Sequence, residues 1–452
     1  LFKELKKYHP AFSDTKLTKE FLYNSVNKGE KYNDLVFQKY MSRLNKLSEE
    51  YLNILNTRAE PHRFEFNILN QLSKLGVGDI YKRKLKEIEK SINEESKIDS
   101  DYFLLKHHLT DLNNYNLKIS KLLESFNQNV IDSYNNLLAY FIFVSGYTLN
   151  QLNLNNYSIK NSGFPGSGGI FFNNEKFPEF LNDILKNTKP SDKKRILFLN
   201  LVEKDFNLNF GKKDLTAYYN LKKLVYENSD LLQDKLLLFY LKRMIAFCII
   251  HIGSGKDDLN TELFRNYKLL LEKGLFEIGG TSDMQILDFR LIVSSSLKNN
   301  EPGWLEEFIN SNSHLVNEEA GTNIIHYGYS FLLFYKKDFE GSLGHTSKVN
   351  CNSLPLTIDI YFLKSKIFYE LEALDSAKSL ADSIRHLISN KKMLSPLLKK
   401  NLVKFLKYYN ALLRLKIKPD YAGTKKLLSE LKNCQSLRDK IWLTEKTEEL
   451  IK

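Results

Sequence analysis

Cysteine is scarce in this chain: Cys248, Cys351 and Cys434 are the only three in 452 residues. An odd and widely spaced set makes no metal-ligand spacing and argues against a disulfide framework, so it suits a reducing compartment. Proline is scarce too. Its nine residues fall mostly where the apolar rhythm breaks, as at Pro61, Pro178, Pro302, Pro396 and Pro419, which is where helices should stop or start. Long apolar runs are missing as well. The nearest, Leu236 to Ile250, is broken by Lys242 and Arg243 and reads as a buried helix, not a membrane span. The expectation is a cytoplasmic protein with no membrane partner. Because the chain starts at Leu1 and not at methionine, a removed leader is compatible with it.

What is present is the composition of a folded protein, with 42% hydrophobic and 27% charged residues. The length suits several domains, or one extended array whose core grows in a single direction. An N-terminal helical region is expected over residues 1–160, with three helices in its first 55 residues. In the third, Phe37, Tyr40, Met41, Leu44, Leu47, Tyr51, Leu52 and Leu55 recur at helical spacing. Leu17, Phe21, Leu22 and Val26 precede them, and Asn27, Lys28 and Gly29 make a turn closed by an Asn33-Asp34 cap. The outline over 15–55 is a helix-turn-helix in which Lys39, Arg43 and Lys46 share one face, where a reading helix would meet phosphates. This segment resembles the winged-helix heads of bacterial regulators. A wing needs a strand pair, however, and Arg63-Phe64-Glu65-Phe66 fits better as the start of a helix through Ile68, Leu69, Leu72 and Leu75. A helical cap on the end of the array is the competing role.

Further helices are expected at Tyr81 to Ile92, Tyr102 to Leu123 and Val130 to Tyr147. His107 and His108 are neighbours that point about 100° apart on a helix. Asp111 shares a face with His107, but two ligands make no metal site. Asn161 to Gly169 holds four glycines and a proline, which breaks any helix, so a loop or hinge is expected over 161–176. Neither this stretch nor Gly253-Ser254-Gly255-Lys256 has the preceding strand and the lysine-hydroxyl pair of a phosphate loop. Central hairpins should fill 177–300, at Ile196 to Phe206, Leu215 to Tyr226, Leu231 to Ile250, Leu259 to Leu275 and Met284 to Leu297, with Gly279 and Gly280 ending one of them. Trp304 and Phe308, one turn apart after Pro302, read as a packing anchor.

Residues 323–387 look like one helical hairpin written twice. At a spacing of 35 residues His326 answers to Tyr361, Ser330 to Ser365, Leu333 to Phe368, Ser342 to Ala377, Thr346 to Ala381 and Val349 to Ile384. Small residues recur where helices would cross and bulky ones between, as close helix packing requires. The pattern resembles the tetratricopeptide repeat, whose unit is about 34 residues of helix-turn-helix. The second copy lacks a glycine in its turn, and Pro355 lies one place beyond the closing position of the first. The resemblance implies an all-α fold, an α-solenoid of stacked antiparallel hairpins, tetratricopeptide-like over 301–452.

Charge is concentrated. From Ser383 to Pro419 ten lysines and arginines occur without an acidic residue, while the whole chain carries +12. Lys400, Lys404, Lys407, Arg414 and Lys418 fall on one face of a helix over 395–418. Leu402, Phe405, Leu406, Tyr409, Leu412 and Leu413 fall on the other. Such a stripe would draw in an acidic protein or a nucleic acid. Alternatively it is a solvated face whose acids, Glu430 among them, come from other helices. No nucleophile with its base, no metal set and no cofactor fingerprint stands out. The expected function is a non-enzymatic protein-binding scaffold without metal or cofactor, with a nucleic-acid-binding helical protein as the alternative.

Overall fold

The computed structural model describes residues 1–9, 11–59, 61–120, 123–158, 176–209, 214–253, 259–277, 284–316, 318–349, 354–390, 396–434 and 437–451. Among them the fold is all-α: 21 α-helices account for 84% of the structure, and no strand is present. The chain divides into two compact units, Leu1–Phe206 and Asn207–Lys452. In the first lie α1 (Phe2–Leu5), α2 (Lys19–Val26), α3 (Asp34–Ala59), α4 (Pro61–Lys74), α5 (Gly78–Glu94), α6 (Ser100–Ser120), α7 (Leu123–Ser158), α8 (Lys176–Asn187) and all but the last turn of α9 (Lys193–Asn209). The second holds α10 (Leu215–Glu227), α11 (Asp234–Gly253), α12 (Leu259–Glu272), α13 (Ile286–Lys298), α14 (Pro302–Asn312), α15 (Glu318–Tyr335) and α16 (Phe339–Lys348). It continues with α17 (Leu354–Glu370), α18 (Leu374–Asn390), α19 (Pro396–Ile417), α20 (Tyr421–Asn433) and α21 (Lys440–Glu449). Successive helices pair with their neighbours in the solenoid-like manner the hydrophobic rhythm predicts.

The second unit shows why the chain keeps folding back. Four of its helices end in the same way, with a residue in the left-handed region at Gly274 (φ +63), Asn300 (φ +60), Lys337 (φ +65) and Glu372 (φ +58). The next residue then donates its N–H five residues back, Leu275 to Leu270 (2.9 Å), Glu301 to Ser296 (3.0 Å), Asp338 to Leu333 (2.9 Å) and Ala373 to Phe368 (2.9 Å). This 6→1 closure satisfies carbonyls that a helix end would orphan, and it turns the chain sharply. Lys337 and Glu372 are one 35-residue period apart, so the turn without glycine keeps the same backbone shape. Asp338 then caps α16, its carboxylate accepting from the Gly341 N–H at 2.9 Å.

Packing within α15–α18 follows the small residues. Ser330, Ser342, Thr346, Ser365, Ala377 and Ala381 are all buried, and the Ser342 hydroxyl donates to the Ser330 carbonyl at 2.6 Å across the hairpin. Only a short side chain leaves room for that bond. Beyond them one core joins Ile358, Phe362 and Ile384 to Leu402, Phe405, Tyr409, Leu412, Leu427 and Leu443. The Tyr409 hydroxyl donates to the Ser365 carbonyl at 2.6 Å, which links α19 to α17.

In the first unit α5 buries Tyr81, Leu85, Ile88 and Ile92, at four-three-four spacing along one stripe. Each such burial stabilises by about 1.5–3 kcal/mol. Phe103 of α6 and Phe143 of α7 both meet Phe198 of α9, at centroid distances of 4.5 and 5.5 Å. The α2–α3 turn forms as expected, with Gly29 at φ +85 and the Asn33 side chain accepting from the Val36 N–H. The stripe expected along α3 differs from expectation. Phe37 is buried, whereas Leu47, Tyr51, Leu52 and Leu55 stay 44–62% exposed. Periodicity states what a helix can bury, and these four side chains stay largely in solvent.

Candidate functional site

The basic face expected on α19 is present. Lys400, Lys407, Arg414 and Lys418 are exposed and Lys404 is half-buried, while the opposite face supplies the core residues Leu402, Phe405, Tyr409 and Leu412. Neighbouring helices supply acids. Lys407 pairs with Glu430 of α20 at 3.0 Å and Lys416 with Glu372 of the α17–α18 turn at 2.9 Å, while Arg385 and Asp382 pair with each other within α18. Lys400, Arg414 and Lys418 make no ion pair among the described residues. The face is therefore interrupted at its middle and open at its ends. In the first unit Lys39, Arg43 and Lys46 are exposed along α3, also without ion pairs among the described residues. Phe64 to Phe66, where a wing would start, lie within helix α4.

The two histidines on α6 part company, as 100° per residue demands. The His107 ring nitrogen Nδ1 lies 2.8 Å from the Ser133 hydroxyl of α7. His108 turns instead to an edge contact with Phe66 of α4, at 6.3 Å between ring centroids. Burial, then the neighbouring His107, pushes the His108 pKa down, and Asp111 offsets part of this. His108 lines a groove of about 790 Å³ between α4 and α6. Leu104, Leu105, Leu112 and Phe66 form its apolar walls, and Asp101, Asp111, Asn67 and Asn70 bring acceptors to it. At one end His62 stands 3.6 Å from both Glu65 and Glu95, with its Nδ1 buried and not hydrogen-bonded. No group of three or more metal-ligating side chains occurs among the described residues.

A second arrangement had no spacing signal at all. Asp359 of α17 is 2% exposed and gathers Arg290 of α13 (Nη2 at 3.2 Å, with Nε also donating), Arg438 (2.6 Å) and the Tyr327 hydroxyl of α15 (2.9 Å). Burial opposes the charged carboxyl, but the hydrogen bonds and charges of the two arginines outweigh it and hold Asp359 below the usual carboxylate range. Beside it Lys366 pairs with Asp439 at 2.7 Å. The partners lie 69, 32 and 79 residues from Asp359. The one available hint was a lone acid inside the apolar run Leu354 to Leu363. Nearby, His326 and His345 face each other across the α15–α16 hairpin with their Nδ1 atoms 3.1 Å apart.

Other residues singled out by sequence take structural places. Trp304 stacks on Phe308 at 5.5 Å and meets Phe264 edge-on at 4.9 Å. Cys248 and Cys434 are buried free thiols, and burial pushes the Cys248 pKa up to about 12, which favours the protonated thiol. Cys351, the glycine-rich stretch from Asn161 to Gly169, Ser254 to Lys256, and Gly279 with Gly280 lie outside the described residues. Among the described residues no helix is long and apolar enough to cross a membrane. No protein-family model matches the chain, nor does any curated protein or solved structure.

Proposed function

We propose that this chain is a non-enzymatic scaffold of tetratricopeptide-like hairpins that docks partner proteins. The observation that carries the reading is the recurrence at 35 residues, in which small buried residues at the crossings and left-handed turns at Lys337 and Glu372 repeat together. An array of this kind exposes long helix faces and spends its buried side chains on packing, which suits contact rather than chemistry. The polar clusters around Asp359 and around Glu262 of α12, which pairs with Lys222 of α10 and with Arg265 at 3.1 Å, support the same reading. Each is tied up in internal hydrogen bonds and salt bridges, as structural networks are.

Affinity capture from the native source, followed by reconstitution with the purified candidate, tests the proposal. A stable complex at physiological salt is expected; a chain that retains no protein under gentle conditions refutes it. Binding to duplex DNA and single-stranded RNA across a salt series forms the parallel arm. Nucleic-acid binding with a steep salt slope that Lys400→Glu with Arg414→Glu, or Lys39→Glu with Arg43→Glu, abolishes would replace the scaffold reading.

A further inference from the structure

The α4/α6 groove stands apart electrostatically from the rest of the chain. The protein carries +12, yet the described residues lining this groove include Asp101 and Asp111 and neither lysine nor arginine. Both carboxylates are exposed, and among the described residues neither makes an ion pair with a lysine or arginine. Some carboxylates elsewhere in the same unit do, Glu65 with Lys84 and Asp192 with Arg195 among them. Between the two acids run Leu104 and Leu105, with Leu112 just beyond. Asp101 and Asp111 are ten residues apart on one helix, or about 15 Å along its axis. His108 between them has its pKa pushed down by desolvation and by His107, which favours the neutral ring.

We propose that this groove docks an amphipathic helix of a partner protein that carries two basic residues about three turns apart, with apolar residues between them. The argument is charge complementarity with matched spacing. A helix lying along α6 would bring its cations to Asp101 and Asp111 and its apolar stripe onto Leu104, Leu105, Leu112 and Phe66, the helix-in-groove mode of recognition. The Asn67 and Asn70 carboxamides supply polar contacts at the rim. This inference rests on the scaffold reading and names the partner chemistry at one of its surfaces.

The test uses the full chain and a fluorescent helical peptide of about 18 residues, with two lysines ten positions apart and three leucines between. One control replaces the lysines with glutamate, and another replaces the leucines with glutamine. Fluorescence anisotropy should give a dissociation constant at least about tenfold lower for the basic peptide than for either control, with the gap narrowing at high salt. Asp101→Asn with Asp111→Asn should close the gap between the lysine and glutamate peptides, while Asp101→Glu with Asp111→Glu retains it. Equal binding of all three peptides overturns the proposal, and so does selectivity that survives the double asparagine variant. If the unmutated chain shows no selectivity while a reconstituted partner complex persists, the groove assignment fails and the scaffold reading stands. Failure of reconstitution itself removes the scaffold reading instead.

Discussion

At Asp359 a carboxylate is taken almost wholly out of water, and two guanidiniums and a phenol must offset that cost. Removing the acid leaves Arg290 and Arg438 facing each other around a neutral group. Asp359→Asn is expected to lower the stability of the second unit by about 3–5 kcal/mol, read as a fall in the urea midpoint. The pH dependence has a definite sign. The folded carboxyl is held below its unfolded value of about 3.9, so its contribution is complete above that pH and is lost as pH falls through the folded value. The asparagine variant should lack this acid limb. His345 behaves in a parallel way near neutrality. Burial, then His326, holds its pKa below the ordinary 6.5, so the fold favours the neutral ring. Stability from this contact is full above about pH 6.5 and declines as pH falls through the folded value. The thermal midpoint should therefore drop between about pH 7.5 and 5.5, and His345→Gln should flatten the drop; an unchanged slope in that variant would refute the assignment.

Among the elements, the hairpin α15–α16 shows how packing and turn chemistry divide the work. Gly328 faces α14 so closely that a Cβ there would stand 2.8 Å from Ile309 Cδ1 and 3.4 Å from Phe289. Gly328→Ala should destabilise by about 1–3 kcal/mol through overpacking. Lys337 sits at φ +65, where an L side chain costs energy and glycine does not. Lys337→Gly should stabilise by about 1 kcal/mol, and chemical denaturation of the pair of variants checks both signs. The sequence disclosed the helices themselves well. Those read at Leu215 to Tyr226 and Ile196 to Phe206 match α10 and the core of α9, because an amphipathic stripe and its breakers are local properties. It disclosed less about which stripe would be covered. Along α3 the apolar positions were legible, but Leu47, Tyr51 and Leu52 are exposed, since cover depends on a neighbour that the helix's own sequence does not encode.

For the whole molecule, charge and cooperativity are the properties that matter. The basic span holds most of the net charge, yet Glu430, Glu372 and Asp382 neutralise Lys407, Lys416 and Arg385, leaving the ends of the α19 face as its open cations. The two compact units should also report separately. Both tryptophans, Trp304 and Trp442, belong to the second unit, whereas helices fill both. Urea unfolding followed by tryptophan fluorescence and by far-ultraviolet circular dichroism should give curves that do not coincide; superimposed curves would mean one cooperative unit.

The sequence by itself determined the all-α class, the helix positions, the 35-residue recurrence and the two faces of α19, because each follows from spacing along one helix or between copies of a hairpin. Tertiary structure alone decided that Asp359 would meet Arg290, Arg438 and Tyr327, that His107 and His108 would serve different neighbours, and that Asp101 and Asp111 would border an apolar groove. Those outcomes depend on which helices lie side by side. Folding selects neighbours by the summed burial of many side chains, so no local pattern carries that information.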